Sequence, residues 1–146
     1  MGLTYKLTED NTALVLQATD EALKAALEAV GLQAETHAKN NVTAAVPRYP
    51  SWYTNKGDLK KYITHEADEK TVVIGTNLEY AIYNELGTGI YAEEGGRQSP
   101  WKYIGSDGNW HQTNGITAIH FLRNAMQDHL SEYEQILADE LRKRMA

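Results

Sequence analysis

Apolar positions recur along this chain at two different spacings, and each spacing predicts a different element. Residues 3–16 alternate loosely (Leu3, Tyr5, Leu7, then Leu14 and Leu16), which predicts one or two short strands in an N-terminal region ending near residue 17. From Asp20 onward the apolar positions are Leu23, Ala26, Leu27, Val30, Ala34, Ala38 and Val42. That is helical spacing, and it predicts a first helix over 19–43 with Thr19 or Asp20 as its N-cap. Gly31 falls inside the pattern at a cost of about 1 kcal/mol relative to alanine, so a kink or a close approach is expected there. Pro47 and Pro50 then forbid further helix. The run VPRYPSWYTNKGD reads as an irregular loop carrying Tyr49, Trp52 and Tyr53.

Leu59–Glu66 and Lys70–Gly75 are strand-like runs separated by Ala67-Asp68-Glu69, a hairpin signal. The second contains TVVIG, β-branched at nearly every position, as in a buried strand. A short helical pattern over Glu79–Leu86 ends at Gly87, in the place of a C-cap glycine, and a glycine-rich loop runs on to Pro100. Trp101–Ile104 and Trp110–Gln112 bracket Gly105-Ser106-Asp107-Gly108-Asn109, a second hairpin with strong turn chemistry. His120–Met145 carries Leu122, Met126, Leu130, Tyr133, Leu137 and Leu141 on one face, and Arg142, Lys143 and Arg144 close it at the negative end of the helix dipole. The prediction is an α+β fold: two long helices packed on a small, mostly antiparallel sheet, with long loops and a short helix in the middle. The chain reads as a single domain over 1–146: a short strand region 1–17, a first helix 19–43, sheet, short helix and loops over 57–115, and a C-terminal helix 120–146.

Composition narrows the chemistry. The 146 residues include no cysteine, which removes disulfides, thiolate catalysis and every cysteine-ligated metal site. The net charge of −6 is spread evenly, −3 over residues 1–45, −2 over 46–119 and −1 over 120–146, so no basic arm or patch points to nucleic acid. The N-terminus has neither a basic n-region nor an apolar h-region, and the apolar stretch Ala22–Val30 is interrupted by Lys24 and Glu28. Neither a signal peptide nor a membrane span is expected, and synthesis in a cytoplasm follows.

The histidines (His37, His65, His111, His120 and His129) form no HExxH motif and no i, i+4 helical pair, so no metal site and no cofactor are expected. Gly87-Thr88-Gly89 does not precede a helix as a phosphate cradle would, and it leads to Glu93-Glu94, which would repel phosphate. Glu79 with Glu85, and Glu93 with Glu94, are available carboxylate pairs, but solvated carboxylates explain them equally. No Gly-x-Ser-x-Gly elbow occurs. The residues point to no catalytic site and no enzyme.

The remaining signal is aromatic: nine Tyr, three Trp and one Phe, ten of the thirteen lying between Tyr49 and Trp110. Amphipathic aromatics are enriched where surfaces meet. Two readings stand side by side. Trp101, Tyr103 and Trp110 would cluster across their hairpin, or they would join Tyr49, Trp52, Tyr53 and Tyr91 in a surface that docks a partner or a neighbouring copy.

Four segments carry a resemblance: VVIGTNLEYAIYNELGTG (Val72–Gly89), GGRQSPWKY (Gly95–Tyr103), DGNWHQTNG (Asp107–Gly115) and HFLRNAM (His120–Met126). In their order and spacing the chain resembles a family of tailed-bacteriophage minor tail components, also described as head–tail joining or tail-completion proteins of the virion neck. Members show a strand ending in Ile-Gly-Thr/Ser-Asn, then Tyr-Ala-x-Tyr-x-Glu-Phe/Leu-Gly-Thr-Gly, and a Pro-Phe-Leu-Arg-Pro-Ala box opening the last helix. Those correspond here to Ile74–Asn77, Tyr80–Gly89 and His120–Ala125. The Pro-Val-Asp-Thr-Gly-x-Leu-Arg segment usual after the first helix is replaced by VPRYPSWYTNKGDLKK, and the box loses both prolines.

The resemblance implies a structural virion-assembly protein of phage or prophage, located in the neck or tail. It would be a minor component of the particle, acting in a homo-oligomeric ring with other neck and tail proteins, and monomeric when free. It implies structural roles for Gly75, Asn77, Tyr80, Glu85, Gly87, Gly89, Phe121 and Leu122, with Trp101 carried over beside them. A free subunit would order its 87–100 loop only on joining the ring. The alternatives from other classes are a small hydrolase using Glu85 or Glu93 with a histidine, and a host-derived protein-binding module.

Overall fold

A computed structural model describes residues 12–50 and 58–145. The dominant element is a helix, α1 (Thr12–Ala45), about 50 Å long at 1.5 Å per residue. Among the residues from 19 onward its buried apolar side chains are Ala22, Ala26, Val30, Ala34, Ala38, Val42 and Ala45, a stripe of mostly small residues at near-perfect i+4 spacing, with Gly31 buried beside it. Small residues on one line let neighbours approach the helix backbone closely. The helix already includes Leu14 and Leu16, so the strand expected there is overturned, and the expected cap at Thr19 or Asp20 lies in helix interior. No glycine or proline stands between Thr12 and Val30 to end a helix rich in Ala and Leu. Residues 1–11 of that expectation lie outside the described residues. A single 3-10 turn, Val46–Arg48, holds Pro47 just beyond the helix end.

After the loop, Asp58–Lys61 form one helical turn, α2, where a strand was expected; only Ile63–Ala67 is strand (β1). It pairs antiparallel with β2 (Val72–Thr76) in the register Ile63↔Thr76, His65↔Ile74, Ala67↔Val72. Asp68 builds the turn by accepting from the Lys70 and Thr71 amides at 2.7 Å each. This hairpin lies on α1 by one face only: Ile63 is buried, while Val73 is 56% exposed. The β-branched run is therefore a half-exposed edge strand and not a buried one. At Gly31 the two layers meet so closely that a Cβ would stand 2.6 Å from His65 Cδ2 and 2.8 Å from Val72 Cγ2. Close packing, not a kink, explains that glycine.

Above it lies α3 (Ala81–Leu86), followed by a single 3-10 turn over Gly89–Tyr91. A second two-stranded antiparallel sheet, β3 (Trp101–Ile104) with β4 (Trp110–Thr113), is separate from the first. The expected C-terminal helix is broken into α4 (Phe121–Gln127) and α5 (Leu130–Met145). In an unbroken helix His129 would share the i+4 line of Phe121, Ala125 and Tyr133, three buried positions. The break at Asp128-His129 lets the imidazole leave the core, and it leaves Leu130 58% exposed instead of on the packed face.

Two apolar clusters hold the layers together. Phe121, with Ala125, packs against Ala38, Val42, Leu59, Ile63 and Ala81. Tyr133, backed by Ile136 and Leu137, packs on Val30 and Ala34. The latter pairs set α5 antiparallel to α1. Burial pushes the Tyr133 phenol up to about 12, and its hydroxyl donates to the Ala125 carbonyl across the helix break. The architecture is α+β as predicted, with two small sheets in place of one.

Candidate functional site

The aromatic middle closes on itself around a backbone crossing. Gly87 (φ 78°) ends α3, its amide donating to the Tyr83 carbonyl at 2.9 Å. The chain beyond it runs beside residues 114–118: Thr88 N donates to Ile116 O and Ile90 N to Asn114 O, both at 3.0 Å, and Ile116 N donates to Thr88 Oγ1 at 2.9 Å. A Cβ on Gly89 (φ 61°) would sit 1.8 Å from the Asn114 carbonyl oxygen, and one on Gly115 (φ 126°) 2.0 Å from that of Thr88. Only glycines permit strands of backbone to cross at this distance.

Below the crossing, Glu85 leaves α3 and accepts from the amides of both Leu122 and Arg123 at 2.9 Å. A carboxylate there satisfies two of the orphan donors of α4 and sits at the positive end of its dipole. His120, at φ 47°, turns the chain into that helix. Arg123 in turn forks onto Glu93, Nη1 to Oε1 at 2.5 Å and Nη2 to Oε2 at 2.9 Å, and the hydrogen bond to that guanidinium holds the Glu93 carboxyl below its ordinary range. The two motif segments, Tyr80–Gly89 and His120–Ala125, are thus locked to each other through Glu85. Segment 87–93 is hydrogen-bonded within the single chain, to Tyr83, residues 114–116 and Arg123.

The crossing, the 3-10 turn after α1 and the β3–β4 hairpin surround an open cavity of about 810 Å³. Its walls include Tyr49, Tyr91, Trp101 and Tyr103, four of the aromatics expected to form a docking surface, together with Tyr80, Tyr83, His111, Ile116 and Ile119. Tyr49 donates from its hydroxyl to Asn84 Oδ1 at 3.0 Å. Asn84, only 8% exposed, also donates from Nδ2 to Tyr80 O at 3.3 Å, and its backbone carbonyl accepts from Ile119 N at 2.8 Å. A buried amide with each group engaged fixes the groove floor. Tyr103 faces His111 across the hairpin (ring centroids 5.8 Å), and burial, with the Asp107 charge adding, raises its phenol above the ordinary value. Arg97 lies over the Trp101 ring at 5.6 Å.

Trp110 does not join them. Its partner in the register is Ile104, and the two stand on the outer face of the hairpin, 68% and 59% exposed. The expected cross-hairpin cluster of Trp101, Tyr103 and Trp110 therefore does not form: the period of 2 in each strand puts Trp110 on the face opposite the other two. Trp52 and Tyr53 lie outside the described residues. Around the crossing Ile82, Tyr83, Ile90 and Tyr91 are each about half exposed, so the groove opens onto an apolar rim.

Of the remaining motif residues, Phe121 is fully buried, and Tyr80 and Leu122 pack on its cluster. Gly75 has open space where a Cβ would go, and Asn77 is exposed in the irregular segment after β2, so neither is demanded by local packing. Tyr83, the second tyrosine of the Tyr-Ala-x-Tyr segment and i+3 from Tyr80, joins the wall, while Asn84 and Ile116 carry no sequence signal that marks them as part of it. Among the described residues no carboxylate lines the cavity, and Glu85 and Glu93 are engaged as helix cap and arginine partner. Among the described residues, those able to group around a metal ion lie elsewhere, between α1 and α5.

The model of the HK97-gp10-like family, described as "Bacteriophage HK97-gp10, putative tail-component", matches residues 7–87, more than half of the chain. The chain belongs to this phage tail-component family. The match spans α1, the β1–β2 hairpin and α3 as far as Gly87, and the β3–β4 hairpin and the box at His120 lie beyond it. No curated protein and no solved structure compared with the chain matches it. Membership supports a structural protein of the phage particle. Among the described residues no helix is long and apolar enough to cross a membrane.

Proposed function

We propose that this member of the phage tail-component family is a virion-assembly subunit of the head–tail junction. It acts in a homo-oligomeric ring, with other neck and tail proteins as its further partners. The observation that carries this reading is the aromatic groove of about 810 Å³ with its exposed apolar rim. Tyr and Trp bury large area at low entropic cost, and they are the residues through which surfaces dock. The outer face of the hairpin, Ile104 with Trp110, offers a second apolar contact on the other side of the same two strands, as a ring subunit with two neighbours requires. No nucleic acid partner is invoked for a chain of charge −6.

The test is made in particles of the phage or prophage that encodes the chain. Trp110→Ser and Ile104→Ser, both at exposed positions, should leave the fold intact yet lower the copies incorporated into purified virions. Wild-type incorporation by the double variant would remove the outer face from the interface, and absence of the native protein from virions would remove the proposal.

A further inference from the structure

The α1–α5 crossing brings together side chains that are 92 and 95 residues apart in the sequence. His37, on α1, has its Nε2 2.9 Å from Glu132 Oε2 on α5. His129, in the break before α5, has its Nδ1 3.4 Å from the same oxygen. One ligand atom from each of the three lies within 4.8 Å of the other two. The edge of a tetrahedron drawn around a zinc ion with bonds of 2.0–2.1 Å is about 3.4 Å, so the two distances, 2.9 and 3.4 Å, are close to what coordination needs. From these contacts we infer that His37, His129 and Glu132 form a site for a divalent transition-metal ion, with zinc the best match.

The donor set decides the class of ion. Two imidazoles and one carboxylate suit zinc and its neighbours, while calcium and magnesium require a cage of oxygens. Three protein ligands leave a fourth position for water. The partial exposure of His129 and Glu132, 32% and 39% of their side chains, gives an ion its way in, whereas His37 is the more enclosed at 17%. Tyr133 packs a tilted ring about 6 Å from both imidazoles and walls the site on the core side.

The imidazoles now stack face to face, centroids 3.5 Å apart and planes 5° from parallel. Nitrogen lone pairs lie in the ring planes, so two parallel rings cannot both aim at one ion. Binding must splay the stack, and His129, in the two-residue break between α4 and α5, is the less enclosed of the two rings. An ion there would tie the long helix to the C-terminal one at their crossing.

The measurement is equilibrium dialysis of tag-free protein against zinc, read by elemental analysis, beside NMR of histidine labelled in the ring nitrogens. The expected result is one zinc per chain, with the ring signals of His37 and His129 shifted and those of His65, His111 and His120 unmoved. His37→Ala and His129→Ala should each weaken binding by about tenfold or more, and His111→Ala should bind as the wild type does. No zinc uptake overturns the proposal, and so does uptake that shifts other histidines. The NMR arm decides the matter in the native chain should a variant fail to fold.

Discussion

Replacing Glu85 by alanine tests how the two motif segments are joined. The wild-type carboxylate accepts from Leu122 N and Arg123 N at 2.9 Å each, and both amides belong to the first turn of α4. Loss of a capping side chain costs about 0.5–2 kcal/mol, and loss of a charge at the helix N-terminus about 0.3–1 kcal/mol. The amides are part-buried, so water restores their partners incompletely. The sum is about 0.8–3 kcal/mol. At roughly 3–4 °C per kcal/mol for a chain of this length, Tm should fall by about 2–12 °C. Glu85→Gln keeps an acceptor oxygen and loses the charge, and should recover about half of the deficit. Urea unfolding followed by circular dichroism reads both variants. If Glu85→Ala stays within about 0.5 kcal/mol of wild type, the carboxylate is not what anchors α4, and the reasoning is wrong.

Three other outcomes follow from the same geometry. Gly89→Ala should cost about 2–4 kcal/mol, combining a left-handed alanine with a clash against Asn114 O; Gly95→Ala, at φ 64° with nothing within 4 Å, should cost only the conformational part, about 1–2 kcal/mol. Equal losses in urea titrations would contradict the close crossing. Thr88 and Ile90 amides should exchange slowly with deuterium in the free subunit, since both donate across the crossing; exchange at the rate of an unstructured peptide would restore ordering on assembly. His65 bonds Glu35 (Nδ1–Oε2, 2.5 Å) and Glu28, and the Glu35 hydrogen bond is the largest influence raising its pKa. A raised folded value means the stabilisation is complete below the ordinary histidine range, near 6.5, and is lost as pH rises through the folded value. For Glu35 burial acts upward, but hydrogen bonds from Lys39 and His65 with their charges outweigh it; its lowered value makes its share present above the ordinary carboxylate range and lost on acidification. His65→Gln should therefore lose most stability relative to wild type near pH 5–6 and progressively less toward pH 9, and a gap that widens with pH would refute the assignment.

What the sequence disclosed was local. The i+4 line from Ala26 to Val42, the β1–β2 turn at Asp68, the glycine stop at Gly87 and the Trp101/Trp110 hairpin are all written in neighbouring residues, and all are present. What it concealed depends on distant partners. The break at His129 is marked by no glycine or proline, and it arises because a polar ring falls on a buried line. Two sheets look like one when strands are recognised singly. The bond from Glu85 to residues 37 and 38 positions later, and the meeting of His37 with His129, have no local spacing to reveal them. For the groove, the tyrosines and tryptophans were visible as a composition bias, but which face of the hairpin each takes was decided by register: Trp101 and Tyr103 inward, Trp110 outward.

The central claim, that this tail-component family member is built into the head–tail junction, is tested most directly by quantitative mass spectrometry of purified virions beside electron microscopy of a deletion strain. The account predicts several copies of the chain per particle, and heads and tails that fail to join when it is absent. Virions that lack the protein, with normal joined tails in the deletion strain, would contradict it.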